Sequence, residues 1–298
     1  MSKKNEMLRL FLALCYRAAY LSHHALCLRP GAPLQHSKLI VVGSFRTGGA
    51  GKTPFCIWLA NHLTAQERRV ALLCHEYAFD EIAMLREKFS HNTHVEVFAT
   101  RNRYRTAHEL DSTQKFDVIL CDDGFEDSRL VGATTIILSW EDAPTKISDL
   151  WPLGKMRSLP KDHEIGSPYT TTLHCSGESP DIRFVVDKVS SPVAGEFPAE
   201  KKAIAFCGIG TPERFRQDVQ NAGIQVARLD AFRDHCRNFA QKLASTLQKE
   251  PDSAFIISEK DAARLPKEFF QRNKRVYVAS QKAIVSPSAL QKLNSAGL

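Results

Sequence analysis

Two short stretches carry residue types at spacings that suit phosphate chemistry. The first runs Val41-Val-Gly-Ser-Phe-Arg-Thr-Gly-Gly-Ala-Gly-Lys-Thr53. Gly48, Gly49 and Gly51 let the backbone bend and turn amide N–H groups inward. The N-terminus of a following helix adds positive potential, and both features suit phosphate oxygens. Lys52 can reach the β- and γ-phosphates of a nucleotide, and the Thr53 hydroxyl can ligate Mg²⁺. Arg46, Thr47 and Ala50 complete the candidate nucleotide-binding segment. The strict G-x-x-x-x-G-K-[ST] pattern begins with a glycine at the position that is Arg46 here. The second stretch is Val118-Ile-Leu-Cys-Asp122-Asp123-Gly124. A phosphate loop needs an acid at the end of a neighbouring strand to place magnesium, and Asp122 fits that role. Asp123 either ligates metal or faces the phosphoryl acceptor.

Both stretches need a sheet to hold them. The pattern predicts strands at 39–43, 70–74, 95–98, 117–122 and 134–138, with helices at 53–64, 81–89 and near 104–110 between them. Continuous apolar strands alternating with helices predict an α/β fold, a P-loop NTPase-like parallel sheet covered on both faces. Residues 140–169 carry four prolines and two glycines and read as a long irregular connector. Strand and helix patterns then resume from 183 to 257 as a second, smaller α/β lobe. The expected organisation is an N-terminal segment 1–38, a phosphate-loop lobe 39–169 and a smaller lobe 170–298.

Composition narrows the class. Of 298 residues, 43% are hydrophobic and 24% charged, which excludes wholesale disorder and a polytopic membrane protein. The net charge is +7, and residues 1–38 alone carry +5 of it. That basic segment includes a Leu/Ala-rich, helix-favouring run from Glu6 to Leu28. Two readings of it stay open: a helix packed on the body, or one lying in a membrane interface with basic residues near lipid headgroups. It is too short in uncharged residues to span a bilayer, and no secretory cleavage site follows it. Eight scattered cysteines without a C-x-x-C pair exclude zinc spacing and predict buried, reduced thiols. Basic residues beside leucines, with no stacking aromatic motif, speak against nucleic-acid binding.

Further along the chain, the residues resemble the tetraacyldisaccharide 4′-kinase (lipid A 4′-kinase) family. Gly43–Pro54 is similar to its loop, which lacks the first glycine and reads Gly-Gly-x-Gly-Lys-Thr-Pro. Asp122-Asp-Gly-Phe-Glu-Asp-Ser-Arg-Leu130 resembles D-D-G-[LF]-Q-H-x-x-L. Trp151–Arg157 resembles P-x-G-x-L-R-E-P, and Phe206–Phe215 resembles G-I-G-x-P-x-R-F. Phe232-Arg-Asp-His-Cys-Arg-Asn-Phe239 resembles F-x-D-H-x-x-[FY], and Ser258–Asp261 resembles T-E-K-D. The resemblance implies ATP- and Mg²⁺-dependent phosphorylation of the 4′-hydroxyl of a lipid A disaccharide precursor. It also implies a peripheral or monotopic protein at the cytoplasmic face of the inner membrane. The N-terminal helix would then meet an anionic membrane surface, and two lobes would form the cleft.

Within that frame Lys52 is the catalytic cation, and His235 is the candidate acceptor of the sugar hydroxyl proton, because imidazole titrates near neutrality. Asp234 would orient it, unless Asp234 instead caps the helix around Phe239; Asp123 is the alternative base. Arg103 and Arg157 are candidates for an acceptor phosphate, since a guanidinium fork suits oxyanions, and Asn102 beside Arg103 is a third candidate acceptor-binding residue. The sequence also departs from the family pattern. The expected Asp-Arg pair is Asn102-Arg103, Gln-His is Glu126-Asp127, and the Glu after Leu-Arg is Ser158. These changes leave room for a catalytically impaired nucleotide-binding relative, or for a P-loop kinase acting on another glycolipid.

Overall fold

The protein was described from a computed structural model covering residues 3–27, 30–140, 144, 146–163, 170–198, 200–234 and 236–298. In chain order its elements are α1 (Lys3–Cys27), β1 (Lys38–Gly43), α2 (Lys52–Thr64), β2 (Val70–His75), α3 (Phe79–Lys88), β3 (Val95–Thr100), α4 (Arg103–Ser112), β4 (Val118–Asp122), β5 (Thr134–Ser139), β6 (Thr170–His174), β7 (Ile182–Ser191), β8 (Gly195–Glu196), β9 (Lys202–Cys207), α5 (Pro212–Asn221), β10 (Gln225–Ala231), α6 (Phe239–Lys249), β11 (Ala254–Ser258), α7 (Glu259–Ala262), α8 (Lys267–Arg272), β12 (Val276–Val285) and α9 (Pro287–Ser295).

Two compact units result. The first comprises the chain up to Tyr77, then Phe89–Arg183 and Val285–Leu298; the second comprises Ala78–Lys88 and Phe184–Ile284. The first unit holds a six-stranded sheet in the order β3-β2-β4-β1-β5-β6, with every pairing parallel. This is the expected α/β architecture. Strand β1 is apolar throughout its buried length because it lies between two neighbours and under helices on both faces; Ile40 and Val42 are fully buried. The register sets Val42 of β1 opposite Asp122 of β4. The phosphate loop and the expected metal-placing acid therefore leave the sheet side by side.

The second unit holds a sheet in the order β10-β9-β11-β12-β7-β8, with β7 and β8 antiparallel. Its core has one apolar cluster around Ala205, Phe215 and Ile256, and another around Phe206, Phe239, Leu243 and Phe255.

The expected boundaries at 39–169 and 170–298 differ from these units in three places. Strand β6 hydrogen-bonds to β5, so the first unit runs on to Arg183. Helix α9 and the C-terminal residues return to the first unit, where Lys292 pairs with Asp181 at 2.7 Å. Helix α3 belongs to the second unit, its Asp80 paired with Arg264 at 2.5 Å. An amphipathic pattern marks which face of a helix is buried but not which sheet receives it.

Cys56, Cys74, Cys121, Cys175 and Cys207 are buried, as expected of core thiols, while Cys15 and Cys27 on α1 are exposed. No helix among the described residues is long and apolar enough to cross a membrane.

Candidate active site

The loop after β1 bends where its glycines fall. Gly51 takes φ 82° immediately before α2, a left-handed conformation that favours glycine. Gly43 is required for a different reason: a Cβ there would lie 2.1 Å from Phe125 Cβ, so the two loops approach each other through its missing side chain. Pro54 sits in the first turn of α2, where its missing N–H costs no hydrogen bond. Open space lies beside Gly48.

Three supports hold the loop. Trp140 Nε1 donates to Ala50 O at 2.9 Å. Thr47 N donates to Lys155 O at 2.9 Å, and Arg157 N donates to Phe45 O at 2.7 Å. A bridge between Arg46 and Met156 completes a strap from the connector to the phosphate loop. Trp140 and the strap were not foreseen from the sequence. They lie in or beside the connector, whose irregular composition carries no periodic signal.

Thr53 Oγ1 donates to Asp122 Oδ2 at 3.0 Å, so the hydroxyl and the carboxylate expected to hold a divalent cation stand together. Both are hard oxygen donors. No cluster of three or more His, Cys, Asp or Glu residues able to hold a metal exists among the described residues. This donor set fits Mg²⁺, which keeps several waters and takes few protein ligands beside nucleotide phosphates. It does not resemble a dedicated protein cage.

Asp123 adopts φ 57°, a left-handed conformation outside glycine. Such a conformation costs about 1 kcal/mol or more and persists only where the surroundings enforce it. Here its carboxylate lies 3.3 Å from Lys52 Nζ and accepts from Arg157 Nη1 at 3.0 and 3.1 Å. Burial pushes this carboxyl upward, but Lys52, Arg157 and Arg103 together outweigh it and hold Asp123 below the usual carboxylate range. Arg157 also reaches Glu126 Oε2 at 3.5 Å. Burial pushes the Glu126 carboxyl up, Arg157 pulls against it, and the net effect is upward. The other Glu126 oxygen is buried with no hydrogen-bond partner among the described residues.

Arg103 donates from Nη2 to Asp122 O at 2.9 Å, and its buried Nε has no hydrogen-bond partner among the described residues. A spare buried donor beside Asp122 is what an incoming oxyanion would satisfy.

The structure thus brings together Lys52, Thr53, Asp122, Asp123, Arg103 and Arg157. Asn102 is turned to another task. It is the N-cap of α4, its side chain accepting from Arg105 N at 3.1 Å. Asp127 forms a two-point pair with Arg129 at 2.7 and 2.8 Å. Ser158 is buried, with its Oγ 2.8 Å from His163 Nε2. Asp234 lies in the second unit and pairs with Lys260 at 3.0 Å. It does not cap the helix that starts at Phe239, whose N-cap is Asn238. His235 lies outside the described residues.

His163 carries a pH signature. Burial, and then the neighbouring His24, pull its imidazole down to about 4, against a smaller opposing effect of Asp162. The folded state therefore binds fewer protons than the unfolded chain between about pH 6.5 and pH 4. Stability is unaffected by this group above that window and falls as pH drops through it, by up to about 3 kcal/mol. Thermal unfolding at pH 7, 5.5 and 4.5 should show the decline, and His163→Gln should flatten it. An equally steep decline in the variant would assign the acid sensitivity elsewhere.

The family model described as tetraacyldisaccharide-1-P 4′-kinase matches residues 10–297. The tetraacyldisaccharide 4′-kinase of Haemophilus influenzae is 25% identical over 287 residues, covering 88% of this chain and 84% of that protein. The enzyme of the same name from Bradyrhizobium diazoefficiens is 27% identical, covering 86% and 83%. The crystal structure of LpxK from Aquifex aeolicus in complex with ATP shares the fold, with a TM-score of 0.63 at 21% identity over 95% of this chain and 96% of that one. With the family model matched almost from end to end and the phosphate loop set beside its acidic strand end, this chain belongs to the tetraacyldisaccharide-1-P 4′-kinase family.

Proposed function

We propose that this protein transfers the γ-phosphate of ATP to the 4′-hydroxyl of a lipid A disaccharide precursor, working at a membrane surface. The observation that carries the reading is the placement of Lys52 and Thr53 beside Asp122 and Asp123 at the ends of adjacent parallel strands, in a chain of this family. Phosphoryl transfer asks a protein mainly for alignment and charge neutralisation. The loop amides and Lys52 hold the β- and γ-phosphates. Thr53 and Asp122 would hold Mg²⁺, which when bound adds charge neutralisation between the phosphates. Arg157 and Arg103 supply guanidinium donors for the transferred group or for a phosphate on the acceptor.

Asp123, held as a carboxylate by three cations, is a weak base and serves to keep Lys52 and Arg157 aimed. The family resemblance gives the hydroxyl proton to His235, which lies outside the described residues. The test is transfer of labelled phosphate from ATP to a tetraacyldisaccharide 1-phosphate in detergent micelles. Formation of the 4′-phosphate is expected. Intact ATP binding with no transfer would overturn the assignment.

The membrane part of the proposal rests on α1. The membrane-interface reading puts the basic residues of α1 near lipid headgroups, but Arg9 and Arg17 turn to the connector. Arg9 donates to Pro152 O at 2.7 Å, and Arg17 donates to both Asp162 oxygens at 3.1 and 3.2 Å. Besides Asn5, Ser22 and His23, α1 leaves large apolar side chains exposed, among them Met7, Leu8, Phe11, Leu14 and Leu26, with Trp151 nearby on the connector. The helix therefore seats on lipid mainly through apolar burial; Lys3 and Lys4 are the basic residues near its start. Vesicle flotation should show binding that survives a rise from about 50 to 500 mM salt, since only charge attraction is screened at that range. Leu8→Glu combined with Phe11→Glu should release the protein. Release by salt alone would point instead to a basic, electrostatic contact.

A further inference from the structure

The connector from 146 to 163 is held from two sides. Toward the phosphate loop, Lys155 and Arg157 hydrogen-bond Thr47 and Phe45, and Leu150, Met156 and Leu159 form a small buried cluster against Phe45. Toward α1, Asp162 receives Arg17, and Trp151 meets the Tyr16 ring edge-on at 5.7 Å.

His163 stands where the two sides meet. Its Nε2 lies 2.9 Å from Tyr20 Oη and 2.8 Å from Ser158 Oγ. Its ring stacks on Phe125 with centroids 4.4 Å apart and meets Phe45 at 6.0 Å. Ser158 directly follows Arg157, and Phe125 lies two residues after Asp123. One imidazole thus touches the N-terminal helix, the connector, the phosphate loop and the acid loop. Because burial keeps the ring neutral at pH 7, it acts through direction and packing rather than charge.

We propose that His163 is a positioning residue for phosphate transfer: it fixes the aim of Arg157 and Asp123, and through Tyr20 it makes that aim depend on the seating of α1. The proposal rests on the reading of Lys52, Asp123 and Arg157 as the transfer site. Arg157 holds Asp123 with one nitrogen, Nη1, at 3.0 and 3.1 Å, so a shift of its backbone by a fraction of that distance breaks the contact. Displacements near 1 Å in a transfer site cost on the order of 100-fold in rate. The connector is fixed to the loop through backbone bonds at Thr47 and Phe45, whereas, among the described residues, it meets the acid loop through Arg157, at Asp123 and Glu126, and through the stack of His163 on Phe125.

The test uses the full-length protein with His163→Phe, which keeps the stacking ring and removes the nitrogen, His163→Gln, which keeps a polar group and removes the stack, and the milder Tyr20→Phe. Transfer kinetics, direct binding of the non-hydrolysable analogue AMP-PNP, and hydrogen exchange of the segments 120–127 and 153–163 are measured on each. For the His163 variants, kcat should fall about 10- to 100-fold. AMP-PNP binding should stay within about twofold, because the amides and Lys52 that hold phosphate are untouched. In an Arg157→Ala background the same substitutions should lose less than about threefold further, since the residue they aim is gone.

Exchange should rise in both segments, in Tyr20→Phe as well as in the His163 variants. Full additivity with Arg157→Ala, or a rise confined to 153–163, would reduce His163 to a packing residue and overturn the proposal. If the wild type transfers no phosphate, the functional reading fails by itself. Exchange in the two segments then still decides whether His163 links the connector to the acid loop.

Discussion

Lys52→Ala is expected to lower phosphate transfer by roughly 10²- to 10³-fold or more, the usual cost of removing one charged donor from a transfer site. Lys52 opens α2 and is mostly buried, with its Nζ 3.3 Å from Asp123. The other cation paired with Asp123, Arg157, approaches from the connector and not from the loop. The variant should fold, because α2 is held by Phe55, Leu59 and Leu63 beneath the loop rather than by the lysine. It should also change a second quantity. Lys52 is one of the three cations that hold the Asp123 carboxyl down against burial, so its removal should raise the pH at which Asp123 takes a proton. A carbon-detected NMR titration of the aspartates reads this independently of turnover. Full transfer by Lys52→Ala would mean that the phosphate site has been assigned to the wrong loop.

The parts of this site that are legible from sequence share one property: they are local. A β-branched run, a cluster of glycines and a lysine-threonine pair specify strand, turn and helix within a short stretch, and the structure has β1, the loop and α2 in that order. Asp122 is legible because burying a carboxylate at the end of an apolar strand is costly unless a cation or a hydrogen-bond donor meets it there. The contacts that complete the site are not local. Trp140 reaches Ala50 across 90 positions, and Tyr20 reaches His163 across 143. Neither residue belongs to a pattern, and both lie beside or opposite a connector whose prolines signal only irregularity.

Asn102 shows the same limit in another form. Its type suits a helix N-cap as well as a polar site, and the capping bond to Arg105 decides between them only once α4 is in place. The departures at Ser158 and Asp127 likewise have partners that the sequence does not name, His163 and Arg129.

Unit membership is the other thing that pattern reading misses, and α3 makes the point energetically. It lies between two strands of the first sheet in sequence, yet its Asp80 is fully buried against Arg264 of the second unit, whose side chain is itself 7% exposed. Arg264 donates from Nε and Nη2 to Asp80 Oδ2 at 3.0 and 2.5 Å and lies 3.4 Å from the buried Asp261. Asp261 in turn accepts from Gly208 N at 3.1 Å and from Ser258 Oγ at 2.7 Å. One guanidinium therefore compensates two buried carboxylates that tie α3, α7 and the loop after β9 together.

Arg264→Met should destabilise the second unit by about 3–5 kcal/mol, because removing one member of a buried ion pair strands charge in the interior. Urea unfolding, and hydrogen exchange at α3 and β11, should both register it. The pH dependence identifies the cause. Burial already raises the Asp261 carboxyl above its usual range, and removing Arg264 raises it further. A carboxyl whose folded pKa exceeds its unfolded value favours folding while protonated and loses that contribution as pH rises through the folded pKa. The variant should therefore recover stability as pH falls from about 8 toward about 5, where stranded carboxylates can take up protons. The double variant Arg264→Met with Asp80→Leu should recover part of the loss at every pH, since it removes one of the two buried charges along with the cation. A destabilisation by Arg264→Met that is the same at both ends of that pH range would show that the arginine acts by filling space against Phe239, and not by compensating charge.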